Sequence, residues 1–484
     1  MQAGRNNPPV KIFPLPPLPP LLPLPPLLPL LPLLPLLPLL PLLPLLPLLS
    51  ALVENFCRTG LGRSLPRFHH NNEPIANNDW IDTNALQMLD LTKIARQIPG
   101  ISQHLTVEAA ASRQRLELAQ TLLLQTNAQQ DELVKRQQQW RERMTFTAAT
   151  PVEPLDTRVD LSTAPESHTI FATDGSQIAP SHHEIAYCYL INVGRVMLHY
   201  GQSLYPLLDS LPEVFYRPED LYVSRQWGIR TEEWMGHRRT VSEATMLAEM
   251  ACRWVNPPGP HFDTPNLAMV DGSLIYWFLE GLPGDARDRI LPPILESWEQ
   301  LRSVNVPLFS YLSAARSMEA LNFLRLQACP HDTPDCMTHC AGIIDKLPCQ
   351  VIDPLRDAAL WATLLEPGQR SPLFRSSAKI LDLYDIHRIY FCYVNVGTEI
   401  ARVEMPEWVA QNSSLLNQAL SLTLAQVHKG FGYPVALAEA HNQAVVRGGD
   451  RTRFFALLEQ QMIRVGLRNV GTSYKEARKR GSIS

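Results

Sequence analysis

The sequence predicts an α/β fold: a mixed sheet flanked by helices, preceded by a helical amino-terminal arm and a Leu/Pro-rich tail. Two observations carry the sheet. Apolar runs at residues 168–173 and 266–270 each stop at the same tripeptide, Asp174-Gly175-Ser176 and Asp271-Gly272-Ser273. A short apolar run halted by a turn signal reads as a buried strand. Two further segments, 186–200 and 388–404, are rich in β-branched and aromatic residues around an Asn-Val-Gly, and each reads as an antiparallel hairpin. Hairpins together with strands separated by helical stretches imply a sheet of mixed direction.

Taken in order, the chain opens on a tail. From Pro14 to Leu49 it is almost only Leu and Pro, and from Pro29 to Pro47 proline recurs at every third residue. Hydropathy alone would read a signal or membrane segment there. Interior proline costs a helix about 3 kcal/mol at each position, and a bilayer demands that every backbone polar group be satisfied internally. Residues 1–50 are therefore expected to be disordered or a polyproline II rod, not a membrane span. Residues 51–150 are expected to be mostly helical, mixed as far as residue 100 and then helical from Val107 to Phe146, with leucines at Leu116, Leu118, Leu122 and Leu123. Pro151 and Pro154 mark the start of a domain over 151–484. Within it, residues 306–312 add a buried strand, and helices are expected near 240–254, 293–303, 316–327, 408–428, 434–446 and 451–467. The chain closes on Lys475, Arg478, Lys479 and Arg480.

Composition removes several classes. The 484 residues can bury a large core. A net charge of −4 excludes a wholly basic nucleic-acid binder but leaves room for a local positive groove. Eight cysteines in so long a chain do not make the dense disulfide framework of a small secreted domain, which points to a reducing, cytoplasmic setting. With no glycine-rich loop ending in Lys-Ser or Lys-Thr, the chain is not itself an ATP-driven motor.

The repeated aspartates carry the chemistry. At strand ends they would lie on the rim where α/β sheets place ligands, and two converging carboxylates suit Mg²⁺ or Mn²⁺. Asp-Gly-Ser is also an ordinary turn signal; what separates the readings is its recurrence in one context. Between the copies lies a helix carrying Glu243 and Glu249, about 120° apart around its axis, so one of them at most faces the site. Later, Gly430-Phe431-Gly432 leads into Tyr433-Pro434 and a helix bearing His441. A phosphatase of the haloacid dehalogenase type is excluded, because Ser176 stands where that chemistry needs a second acid.

Asp174-Gly175-Ser176, Val270-Asp271-Gly272-Ser273 and the Tyr433 to His441 segment, in that order, resemble the landmarks of the NurA nuclease family over about residues 170–465. The resemblance implies an RNase H-like core and Mn²⁺- or Mg²⁺-dependent cleavage of DNA, exo- or endonucleolytic. It implies a homodimer docked on a HerA-like hexameric ATPase in double-strand break end resection. By that similarity Asp174 and Asp271 are metal ligands and Tyr433 and His441 complete the site. The family's acidic helix residue falls on Glu243 or Glu249; Glu243 is preferred because it leaves a full helix before the long loop at 256–265. His441 would be a further ligand or a proton carrier. The rival from another class is an RNase H-like scaffold that binds a motor and DNA without cutting, against which both aspartates, the acidic helix and His441 argue.

Cys329, Cys336, Cys340 and Cys349 fall close together with His331 and His339. Thiolates and imidazoles on loops suit structural Zn²⁺ or an iron-sulfur cluster. The spacing lacks the close CxxC pair of a zinc knuckle, so a loop of reduced cysteines is the plain alternative.

Overall fold

A computed structural model describes residues 94–467, apart from 96, 183 and 257–263. The Leu/Pro tail, the basic carboxyl end and most of the 256–265 loop lie outside the described residues. All described residues belong to the unit that begins at Leu89.

Among the described residues, eleven strands make one sheet. They are β1 (Thr150–Pro151), β2 (Val159–Asp160), β3 (His168–Ile178), β4 (Tyr189–Tyr200), β5 (Leu207–Phe215), β6 (Asn266–Asp271), β7 (Leu308–Leu312), β8 (Gln369–Arg370), β9 (Phe374–Arg375), β10 (Ile389–Asn395) and β11 (Ile400–Pro406). The order is β1-β9-β10-β11-β7-β6-β3-β4-β5, with β8 pairing β10 and β2 beside it. Only β3 with β6 and β6 with β7 run parallel. The stretch β5-β4-β3-β6-β7, three antiparallel strands followed by two parallel ones, is the mixed RNase H-like sheet expected above.

Seven longer helices among the described residues surround it: α1 (Ile98–Ala128), α2 (Gln130–Trp140), α3 (Thr231–Val255), α4 (Leu291–Ser303), α5 (Ser413–Lys429), α6 (Val435–Ala444) and α7 (Gly448–Arg464). Alternation along the strands divides the core between two faces. Phe171, Ala268 and Leu308 face α3 and α4, packing on Leu247, Ala251, Ile294 and Trp298. Ile170, Ala172, Met269 and Phe309 face α5 and α6, meeting Leu416, Leu420, Ala436 and Leu437. A third cluster joins Leu122, Leu123 and Leu133 of the arm to Trp361 and Phe391. Each fully buried aliphatic or phenyl group contributes about 1.5–3 kcal/mol, so central strands buried on both faces are the stable framework for whatever their ends carry.

The structure differs from expectation at four places. Asp174 does not end its strand: β3 runs on to Ile178, paired with β4 throughout, and only its parallel pairing with β6 stops at Thr173 opposite Val270. Residues 186–200 are no hairpin, because β4 passes straight through Gly194 opposite Asp174. The edge strand β5 was not expected at all: Asp209, Pro212 and Glu213 hide its pattern, though they suit an exposed edge. The predicted 316–327 helix shrinks to Glu319–Leu324, while the 388–404 hairpin forms as β10 and β11.

Candidate active site

Asp271 is the last residue of β6, and Asp174 lies one step past the last β3–β6 pair, so the two carboxylates leave the sheet side by side. Gly272 then turns the chain at φ +83°, a conformation that favours glycine. The turn is gripped from below. Ser273 Oγ and Leu274 N–H donate to Glu404 Oε2 at 2.9 and 2.8 Å. Arg402 Nε donates to Glu404 Oε1, and its Nη2 to Glu319 Oε2, both at 2.8 Å. This ion network is buried, so its geometry is fixed by the need to satisfy every charge.

Gly175 and Gly194 admit the two helices that complete the site. A Cβ at 175 would overlap Glu243 Oε1 and the Arg239 side chain, so α3 lies directly on the strand there. Thr173 Oγ1 also donates to the Glu243 carbonyl at 3.1 Å. A Cβ at 194 would overlap the backbone of Ala440 and Ala444, so α6 rests on β4 with no side chain between. Ser176 Oγ and Asn192 Nδ2 both donate to the Ala444 carbonyl and hold the end of α6. His441, on that helix, meets Asp174 Oδ2 through Nδ1 at 2.8 Å. Asp174 Oδ1 accepts the Gly175 N–H at 2.8 Å. Tyr433, at the entrance to α6, donates its hydroxyl to Asp271 and sets its ring edge-on to Tyr311, 5.6 Å between centroids.

Glu243 therefore looks onto both aspartates. Burial first, and then the charges of Asp174 and Asp271, push its carboxyl up to about 7, against the opposing pull of Arg239 and the Gly175 N–H. Arg239 Nε stands 3.2 Å from Glu243 Oε1. Burial, then Asp271, also raises the Tyr433 phenol, which stays protonated at neutral pH. Glu249 points elsewhere, to an exposed pair with Arg253 at 3.2 Å. The structure thus brings together Asp174, Asp271, Glu243, Tyr433 and His441 and leaves Glu249 out.

Among the described residues no three His, Cys, Asp or Glu side chains stand as a ready-made metal ligand set. The site carboxylates are instead turned onto donors of the chain itself: His441 and the Gly175 N–H, Tyr433, and Arg239. The donor chemistry fits a divalent ion nonetheless, since three carboxylates and one imidazole come together there.

Reading the sequence missed Arg239 and the Glu404–Arg402–Glu319 network. Both left a trace: Arg239 is four residues before Glu243 on one helix face, and Arg402 and Glu404 interrupt an otherwise apolar strand, where charge demands partners.

A family model of the NurA domain matches residues 168–446. That is more than half of the chain, and it takes in every residue of the site. The chain belongs to the NurA family. Its NurA domain opens on the first residue of β3 and closes just past α6, with the arm before it and α7 after it. Among solved structures, the crystal structure of the NurA nuclease from Sulfolobus solfataricus aligns with 78% of this chain and 98% of its own, at 12% identity and a TM-score of 0.44. No curated protein matches the chain. No helix among the described residues is long and apolar enough to cross a membrane.

Proposed function

We propose that this NurA-family chain is a divalent-metal-dependent deoxyribonuclease that hydrolyses phosphodiester bonds in double-strand break end resection. The observation that carries the reading is the meeting of Asp174, Asp271 and Glu243, with His441 bonded to the first and Tyr433 to the second. Asp174, Asp271, Glu243 and His441 would hold the ion, which when bound supplies charge stabilisation at the phosphoryl group and an activated water. Imidazole among the ligands favours Mn²⁺ over Mg²⁺.

The chain's own groups divide the remaining work. Glu243, whose carboxyl stands at about 7 without the ion, would give up its proton as it takes the ion, so ion binding should strengthen as pH rises through neutrality. Asp174 orients the His441 ring through Nδ1 and leaves Nε2 as its other working nitrogen. Tyr433, kept neutral, anchors Asp271 and offers a face on which a base can stack.

The partner reading follows from charge and from what the sequence lacks. A net charge of −4 gives little DNA affinity by counterion release, and no nucleotide-hydrolysing loop is present. A HerA-like hexameric ATPase, with this chain docked on it as a homodimer in the cytoplasm, supplies motion and DNA delivery. The test is cleavage of linear DNA by the full chain with Mn²⁺, with EDTA, and with the ATPase and ATP added. Cutting that needs the ion and rises with the motor is expected; a folded chain that binds DNA and the motor but never cuts would make it the scaffold instead.

A further inference from the structure

Between Arg325 and Arg356 the only helix is the four-residue Cys336–His339. So long a stretch without regular structure in a packed domain needs another source of order. The segment is nonetheless tied down. Cys336, Ile352 and Leu355 lie in the core shared with Leu122 and Leu133 of the arm. Arg136 Nε donates to the Asp332 carbonyl at 3.1 Å, and Arg143 pairs with Asp335 at 2.8 Å. Asp335 in turn caps the short helix through the Thr338 N–H at 3.0 Å.

Inside this fold-back the four cysteines converge, although they are far apart in sequence by the standard of a zinc knuckle. Cys329, Cys336, Cys340 and Cys349 line one cavity of about 10 Å³, room for a single water-sized atom or ion. The Cys340 thiol is hydrogen-bonded to Cys336, and all three other thiols lie close enough to influence it. Arg325 is buried, with its guanidinium over the Phe146 ring at 3.9 Å and Nη2 donating to Cys349 Sγ at 3.3 Å. A buried guanidinium beside a sulfur is the counter-charge that a thiolate ligand needs. His331 and His339 stack on one another at 4.3 Å, which leaves the sulfurs as the converging donors.

We propose that Cys329, Cys336, Cys340 and Cys349 bind one Zn²⁺ as a structural tetrathiolate site that closes the 325–356 segment on itself. As the side chains stand, no three of them make a closed ligand set. Closing it takes rotation about χ1 between staggered wells, with Cys329 and Cys340 only partly buried. Zinc takes four sulfurs tetrahedrally at about 2.3 Å, and binding releases the thiol protons to solvent. The small cavity selects one ion over a multi-iron cluster.

The test reads metal, not cleavage, so it stands apart from the nuclease reading. The full chain is purified from zinc-supplemented cells, dialysed, and measured by elemental analysis and zinc-edge X-ray absorption. About one zinc per chain in an all-sulfur shell near 2.3 Å is expected. The Cys336→Ser/Cys340→Ser double variant should lose it, and Cys188→Ser/Cys392→Ser should keep it. A folded wild-type chain free of zinc, zinc retained by the double variant, or iron with acid-labile sulfide would each overturn the proposal. Should the double variant not fold, the sulfur shell of the wild type decides alone.

Discussion

Glu243→Gln separates the cost of this carboxylate from its use. Glu243 has a side chain one-fifth exposed, and its carboxyl is pushed from 4.5 up to about 7 by burial and by the two aspartates. An acid whose pKa rises on folding favours the fold while it holds its proton. That contribution is complete below about pH 4.5 and is lost as pH rises through about 7. The rise from 4.5 to about 7 costs the fold about 3 kcal/mol by pH 8, and under about 1 kcal/mol at pH 5. Glutamine avoids that loss and forfeits the Arg239 pair, which at a half-exposed position is worth at most about 1 kcal/mol. In EDTA, urea unfolding should therefore find Glu243→Gln more stable than wild type by about 2–3 kcal/mol at pH 8, with the gap nearly closed at pH 5. Saturating Mn²⁺ should reverse the order, because only the wild type gains from the ion. Parallel stability–pH curves for the two proteins in EDTA would refute the reasoning.

Other substitutions probe how the site is held. Tyr433→Phe keeps the edge-on contact with Tyr311 and removes only the hydroxyl on Asp271; kcat for DNA cleavage should fall about 10–100-fold, the range for loss of a group that orients a ligand, with the thermal midpoint nearly unmoved. Gly194→Ala drives a methyl into the α6 backbone, so calorimetry should show about 1–3 kcal/mol of destabilisation, and cleavage should drop as His441 shifts from Asp174. Gly175→Ala presses on Glu243 and Arg239 rather than on backbone; its loss of cleavage should exceed its loss of stability, read by the same two assays.

Much of this geometry was legible in the chain, and the rest hid for physical reasons. Asp271 was readable because its strand truly ends there, at a glycine with positive φ. Helical rotation said that one of Glu243 and Glu249 at most could face the site, and the length of helix left before the 256–265 loop favoured Glu243. The continuation of β3 past Asp174 was not readable, because Gly175-Ser176 is a turn signal locally and a strand only through its pairing with Val193 and Asn192 of β4. Gly194 misled in the same way: it looked like the tip of a hairpin and instead clears space for α6. Convergence of the four cysteines depends on the fold-back of residues 325–356 against the arm, which no sequence spacing encodes.

Asp174 meets His441 directly, neighbours Asp271 and raises Glu243, so it tests the whole arrangement at once. The decisive measurement is Mn²⁺-dependent cleavage of linear DNA by wild type and Asp174→Asn, with Mn²⁺ binding followed by titration calorimetry on the same preparations. The account predicts a folded variant that neither binds the ion tightly nor cuts. Cleavage at the wild-type rate by folded Asp174→Asn would contradict it.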